Sequence, residues 1–497
     1  MSPHHCGIGS KPCTLTYQVF FRTRKLLLKE DEAMFDSEKN FSPKCWLVFL
    51  VLLMLAWIAS SPVQAMKTRP TGWSQTYNGG ENVNDEGKAV AVDAQGNVYV
   101  VGVSRLTPSS GGSPHNQFIL VKYDPQGVRQ WVAHNDPDNW YLGLPVGVAV
   151  DNSRGLVYVG LSTWNVIGFR MSDGARRWVG ETTVSPEVGP AKVMALDGEA
   201  LGHVYVGGNG PLHKYSIPII FPEDSLTITH RDWYGPSYAN ALAFFGDSVF
   251  TTGGYNGGAW TRKVDAEDGG IIWENWFYEG NYNNNPVAIA VDSLGDPVVV
   301  YKREYLRSIP YITHIRAIKF IGASTGPEPS TRWQTLLPAD TSPAGMVLDS
   351  QDNVIIAGSA RSPRNPPYSD LYVMKLDPLG SQLWALYDNE GHNYIDGAVA
   401  VATDIYDAIV FTGTSAKYDP AGSIFSTITK AYSTSAQYLW SEQYGPFPDR
   451  GNNYPAGLAV KGQTAYVCGT VGPASNIPNN DIFILKSGPR KIPKPRP

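Results

Sequence analysis

One phrase recurs about eight times along these 497 residues, and it limits what the chain can fold into more than any other feature. It runs as a valine-rich strand ending in Asp, a tight turn with Gly, a second strand, a variable loop, a strand ending in Lys-x-Asp, another Gly turn and a Trp. The cleanest copy reads AVAVDAQGNVYVVG (89 to 102), then FILVKYDPQGVRQW (118 to 131). Four short strands per unit at this spacing make each repeat a blade that cannot bury its two faces until neighbours flank it, which is the mark of a β-propeller. Composition agrees, with 42% apolar residues for the core and 50 Gly for the turns.

Aligned copies set the organisation. Blade-start strands are AVAVD (89 to 93), GVAVD (147 to 151), VMALD (193 to 197), ALAFFGD (241 to 247), AIAVD (288 to 292), GMVLD (345 to 349), AVAVA (398 to 402) and GLAVK (457 to 461). The closing tryptophans are seven: Trp131, Trp178, Trp233, Trp273, Trp333, Trp384 and Trp440. The eighth unit ends after its third strand, DIFILKSG (481 to 488), and GWSQTYNG (72 to 79) at the other end supplies a fourth strand carrying Trp73. A last blade built from both termini is closed by main-chain hydrogen bonds and leaves no aggregation-prone edge. The fold class expected is therefore all-β, an eight-bladed propeller with residues 456 to 488 plus 72 to 79 as the last blade. Seven blades is the alternative, since the third unit (193 to 235) is irregular.

Residues 1 to 65 stand outside this pattern. CWLVFLVLLMLAWIASS (45 to 61) is uncharged, follows Lys39 and Lys44, and precedes small residues at signal-peptidase spacing, so it reads as a secretory signal starting near Met34. An uncleaved membrane-spanning helix is the rival reading. Residues 66 to 488 form the propeller domain, and the basic, Pro-rich end 489 to 497 reads as a disordered tail. The expected location is secreted, periplasmic or cell-surface. Without the first 65 residues the charge balance is 33 basic to 40 acidic, so no basic field draws the chain to nucleic acid. Cys468 is then the one cysteine left, expected as a buried strand residue.

The strings D-x-x-G-N-V-Y-V-x-G and K-Y-D-x-x-G-x-x-x-W resemble the bacterial SBBP-type propeller repeats over nearly all of residues 70 to 488. RKVDAEDGGIIW (262 to 273) and FRMSDGARRW (169 to 178) resemble the tryptophan-docking segments of quinoprotein-type PQQ propellers. The first resemblance implies a repeat protein, and the second implies a Trp packed between blades. Quinoprotein dehydrogenases carry adjacent cysteines against the cofactor; none are adjacent here, so the resemblance implies the fold and not the quinone.

Strand order separates two rims. The D-x-x-G turns are short and repeated, so their rim is scaffold. The other rim collects the variable loops and the links between blades: HNDPDNWY (134 to 141), EGNYNNNP (279 to 286), EGHNYID (390 to 396) and RGNNYPAG (450 to 457). Amides that donate and accept, beside aromatic faces that stack, suit a carbohydrate, peptide or protein ligand. The candidate binding residues are Asn135, Asp136, Asp138, Trp140, Tyr141, Tyr282, Asn284, His392, Asn393, Tyr394, Asn453 and Tyr454. The bland alternative is that these are ordinary turn formers and wedge fillers.

Catalytic patterns are sparse. Gly322-Ala-Ser324-Thr-Gly326 fits the string of a nucleophile elbow but replaces the Gly turn before Trp333. Zincin, zinc-ribbon and P-loop motifs are missing from the sequence. His134 and His392 lie in links, and HNDPDN offers oxygens to calcium without the spacing of a calcium loop. The function expected is a non-catalytic binding module, a monomer without a cofactor. The alternative is an enzyme at the channel mouth, either quinoprotein-like or a glycan hydrolase or lyase using Asp138, Glu279, Asp396 or Asp449.

Overall fold

A computed structural model of the chain describes residues 72–79, 84–106, 115–134, 143–182, 189–197, 202–218, 227–230, 233–308, 312–361, 368–388, 394–417, 424–445, 450–473 and 480–489. Every described strand falls in the compact unit Ala65–Pro497. The strands form eight sheets, each with four antiparallel strands as its blade. The innermost strands are Glu86–Val92, Pro145–Asp151, Ala191–Leu196, Ala241–Phe245, Tyr282–Val291, Thr341–Leu348, Tyr394–Thr403 and Arg450–Lys461, for blades 1 to 8. They neighbour one another in sequence order, and the last meets the first. Trp73–Tyr77 completes blade 8 by pairing with Asp481–Ser487, Trp73 opposite Lys486 and Tyr77 opposite Ile482. The chain is an eight-bladed β-propeller closed by its N-terminal strand.

The third unit is a blade, and its irregularity has a cause. Its outer strand Trp233–Ser237 pairs with Pro211–Ser216, but the connection between them makes an excursion. Within it, Thr227–His230 adds a fifth, parallel strand to the outer edge of blade 2. The seventh unit is shifted from the expected register: its innermost strand runs to Thr403, so Asp404 rather than Ala402 opens the turn.

Second strands such as Val98–Leu106 read as unbroken apolar runs because both faces are covered. Val98 and Val100 pack toward blade 8 with Tyr466 and Ile484, whereas Tyr99 and Val101 pack toward blade 2 with Val157 and Val159. An apolar cluster fills every junction in this way. In the turns, Asp93, Asp124, Asp292, Asp377 and Asp404 each accept two backbone N–H groups on one carboxylate oxygen, which is why Asp opens the motif.

The Lys and the Trp of the repeat serve one purpose. In each clamped junction both donate to the same turn carbonyl of the next blade. Lys122 Nζ (2.7 Å) and Trp131 Nε1 (3.1 Å) reach Met171 O. Lys263 and Trp273 share Gly322 O, Lys319 and Trp333 share Pro378 O, and Lys375 and Trp384 share Thr434 O. Lys486 and Trp73 share Pro125 O, and so fasten blade 8 to blade 1. Gly322 is thereby a clamp acceptor, not a nucleophile elbow. Cys468 is buried, and burial pushes its thiol up to about 12.

Candidate functional site

The loop face is built from the hairpins that join the second and third strands of the blades. In blade 4 the strands Ser248–Tyr255 and Gly258–Asp265 are joined by Asn256 and Gly257 with φ of 48° and 80°, a two-residue turn of the kind that matches strand twist. Gly257 O then accepts the N–H of Asn284, which ties the tip to the innermost strand of blade 5. Near this tip the strands alternate aromatic residues with glycine. Trp260 pairs with Trp276 and faces Gly253, while Tyr255 pairs with Gly258. A Cβ at Gly258 would lie 2.2 Å from the Trp276 ring, so the glycine makes room for the indole.

The result is an aromatic platform. The Trp260 and Trp276 rings are 4.0 Å apart, and Tyr278 continues them in a parallel orientation at 6.4 Å. Tyr238 and Tyr255 pair beside them at 4.9 Å. Tyr255, Trp276 and Tyr278 are 49%, 40% and 56% exposed, which leaves ring faces open to a ligand. Arg262 lies 4.6 Å from the Trp260 ring and bonds Glu274, holding the inner indole in place.

Blade 5 adds a charged group next to it. Glu279 accepts from Arg303 at 2.6 Å and from Arg316 at 3.3 Å. Arg303 stacks on Tyr282 at 3.3 Å, and Arg316 lies 4.6 Å from the Phe277 ring. Burial lowers the Arg316 pKa from its ordinary value, with Glu279 opposing the shift. Both oxygens of the Glu279 carboxylate are bonded to guanidinium groups, so the cluster braces the rim and presents no unengaged acid or base.

The predicted residues divide into three groups. Asn135, Asp136, Asp138, Trp140, Tyr141, His392, Asn393 and Asp449 lie outside the described residues, as does the side chain of Tyr394. Tyr454 is 42% exposed and packs on Phe425, and Tyr282 is half-buried under Arg303. Asn284 and Asn453 are wholly buried, because the expected links are the first residues of the innermost strands, not loops. Asp396 is also buried, and His134 is exposed at the end of a strand.

Burial of Asn284 and Asn453 exposes a pattern that sequence reading missed. Asp85, Asn284, Thr341, Asp396 and Asn453 occupy one register position, just before the bulge of five innermost strands, and all are at most 1% exposed. The signal was present as a polar residue four positions before the Ala or Gly that restarts each strand. Burial raises the Asp85 pKa against the lowering effect of Ser104 and the Gly79 N–H. Residues missed at the surface are Trp260 and Trp276, which sit in strands, and Tyr278, which directly follows the strand Ile271–Phe277, rather than in the polar links. No group of three metal-ligating side chains occurs among the described residues.

Fold and rim together define the class: an eight-bladed β-propeller with a polar and aromatic loop face. No family model matches the chain, and no curated protein does. Among solved structures it is similar to BamB from Moraxella catarrhalis at 13% identity, covering 84% of this chain and 99% of that one with a TM-score of 0.46. It is also similar to the Dos1 propeller at 10% identity, covering 84% and 95% with a TM-score of 0.48. The blade count rests on this chain's own strand pairing, and the SBBP-type and quinoprotein resemblances rest on the quoted strings alone.

Proposed function

We propose that this protein is a non-catalytic, extracytoplasmic binding module that presents its loop face to a carbohydrate, peptide or protein ligand. The observation that carries this is the platform of exposed Tyr255, Trp276 and Tyr278 rings, in which Gly258 leaves room for the Trp276 indole and Trp276 is backed by Trp260, itself held by Arg262. Exposed, rigid aromatic faces bury large area at small entropic cost, and they stack on sugar rings and apolar side chains alike. Supporting it, the ionisable groups that meet beside the platform are already paired with one another. The extracytoplasmic location rests on the apolar run at 45 to 61, which lies outside the described residues. No helix among the described residues is long and apolar enough to cross a membrane.

The test is thermal unfolding of the chain with oligosaccharides, peptides, calcium and pyrroloquinoline quinone. A ligand of the folded state raises the midpoint, by about 2.7 kcal/mol of stability at a hundredfold excess over Kd. The expected outcome is a shift with a glycan or peptide that W276A/Y278A abolishes while leaving the unliganded midpoint close to wild type. A shift with the quinone that survives this double substitution would make the protein an oxidoreductase candidate and overturn the reading.

A further inference from the structure

The most exposed large apolar side chains among the described residues lie on the opposite rim, the one formed by the short turns. Leu379 is 78% exposed, Leu294 74%, Ile405 68% and Tyr406 67%. All four sit at turn tips in blades 5 to 7. Turn chemistry does not call for them. The Asp that opens each turn caps the backbone from inside, and the residue two positions later points outward. In the equivalent turns this outward position is taken by Gln95, Gln126 and Gln351, whereas here it is Leu294, Leu379 and Tyr406.

Charge is sparse around these tips. On the inner turns of blades 5 to 7 the remaining exposed residues are Ser293, Ser350 and Gln351, all uncharged, and at the outer turns the exposed charges are Glu328 and Arg332 of blade 5, the second paired with Asp296. Asp352 and Asp407 are turned aside to accept from Ser293 and Ser350, which links three successive turns into one rigid arc. Blades 2 to 4 present Asp173, Asp247, Glu267 and Asp268 on the same rim. Both ends of the ring come to this rim in blade 8, which neighbours blade 7. Trp73 and Lys486 both reach Pro125 O in a turn, so the first strand starts at this rim and Asp481–Ser487 ends there. Upstream of Trp73 the sequence carries the apolar run 45 to 61, and downstream of Ser487 it carries Arg490, Lys491, Lys494 and Arg496 with no acid.

We propose that this half of the turn face rests on a lipid bilayer, with Leu294, Leu379, Ile405 and Tyr406 entering the interfacial layer and the basic tail lying on anionic headgroups. Apolar tips with a nearby basic segment supply the two weak signals that together hold a protein on a membrane surface. The loop face and its aromatic platform then point away from the bilayer. This docking is independent of the ligand proposed for the loop face, and independent of whether the run at 45 to 61 is cleaved.

The test uses the chain from Ala65 to Pro497, which contains every strand that closes the ring, in flotation assays with vesicles of phosphatidylcholine, with and without phosphatidylglycerol. Wild type is expected to float on both and more strongly on the anionic vesicles. L294Q/L379Q/Y406Q, which installs the residue found in the equivalent turns and so keeps the fold, is expected to lower partitioning at least about tenfold on both. Neutralising the four basic tail residues to Gln should remove only the gain from phosphatidylglycerol, and W276A/Y278A should change nothing. The proposal is overturned if wild type stays soluble with both vesicles. It is equally overturned if the Gln variant, with an unchanged thermal midpoint, floats as well as wild type.

Discussion

At the scale of single residues, each repeated letter of the motif has a job that its neighbours in space define. Gly380 has a φ of 82°, and a Cβ there would come within 2.6 Å of the Trp333 ring, so the glycine serves both the turn and the indole of the preceding blade. Gly380→Ala is expected to cost at least about 1–3 kcal/mol through the backbone alone. Trp333→Phe, which removes the 2.9 Å bond to Pro378 O, is expected to cost about 1–2 kcal/mol. Urea unfolding of each variant checks both values. Asp349 illustrates the charge. Burial pushes its carboxyl up, but bonds from Lys375, Asn353 and Gln351 outweigh this and hold its pKa below the usual value. A depressed carboxylate pKa adds stability that is complete above the unfolded value near 4 and is lost as pH falls through the folded value. Asp349→Asn, which strands buried Lys375, should therefore cost about 3–5 kcal/mol at neutral pH. The gap to wild type should narrow in acid, so denaturant midpoints at neutral and acidic pH that run parallel would contradict this account.

At the scale of elements, the clamp appears where an acceptor exists and is missing where one does not. Blade 3 has no tight turn between its outer strands, because the chain there makes the excursion that extends blade 2. In blade 2 the lysine position is Gly168, opposite Trp178, and the indole N–H of Trp178 has no acceptor among the described residues. Blade 8 has no such turn either, since its outer strand comes from the N-terminus. In blade 7 the lysine position is Ala431, opposite Trp440. The closing strand matters for a related reason. Without Trp73–Tyr77, the apolar strand Asp481–Ser487 would present an open edge, and both donors to Pro125 O would lose their setting. A chain starting at residue 84 is expected to associate through that edge and to recover monomer when a peptide of residues 72 to 79 is added. Light scattering during size-exclusion chromatography reads either result, and a stable monomer without the peptide would show that ring closure is dispensable.

At the scale of the molecule, the two rims divide the work. The loop rim holds the aromatic platform and the paired charges of blades 4 and 5. The turn rim holds inter-blade ties near the axis, such as Ala94 N to Asn152 and Ser293 to Asp352, and a one-sided set of apolar tips. Rigid ties at one end of a ring let the loops at the other end vary without loosening the fold, which is how a repeat scaffold comes to carry function on variable segments.

The sequence by itself determined the strands, the blade number, the closing strand and the separation of the rims. These follow from local rules: short valine-rich runs of strand length, Asp and Gly in turns, and a unit that repeats. The exchange of Gln for Leu or Tyr at the turn tips was also legible in it once the copies were aligned. Only the tertiary structure decided which polar residues face solvent. Asn284 and Tyr282 stand two positions apart in one link, yet the strand begins early enough to bury the first and leave the second under Arg303. Likewise Trp260 and Trp276 are 16 residues apart and become neighbours only through the register of a hairpin. Burial and register depend on how the eighth blade meets the first and how each blade leans on the next, and no stretch of chain contains that information locally.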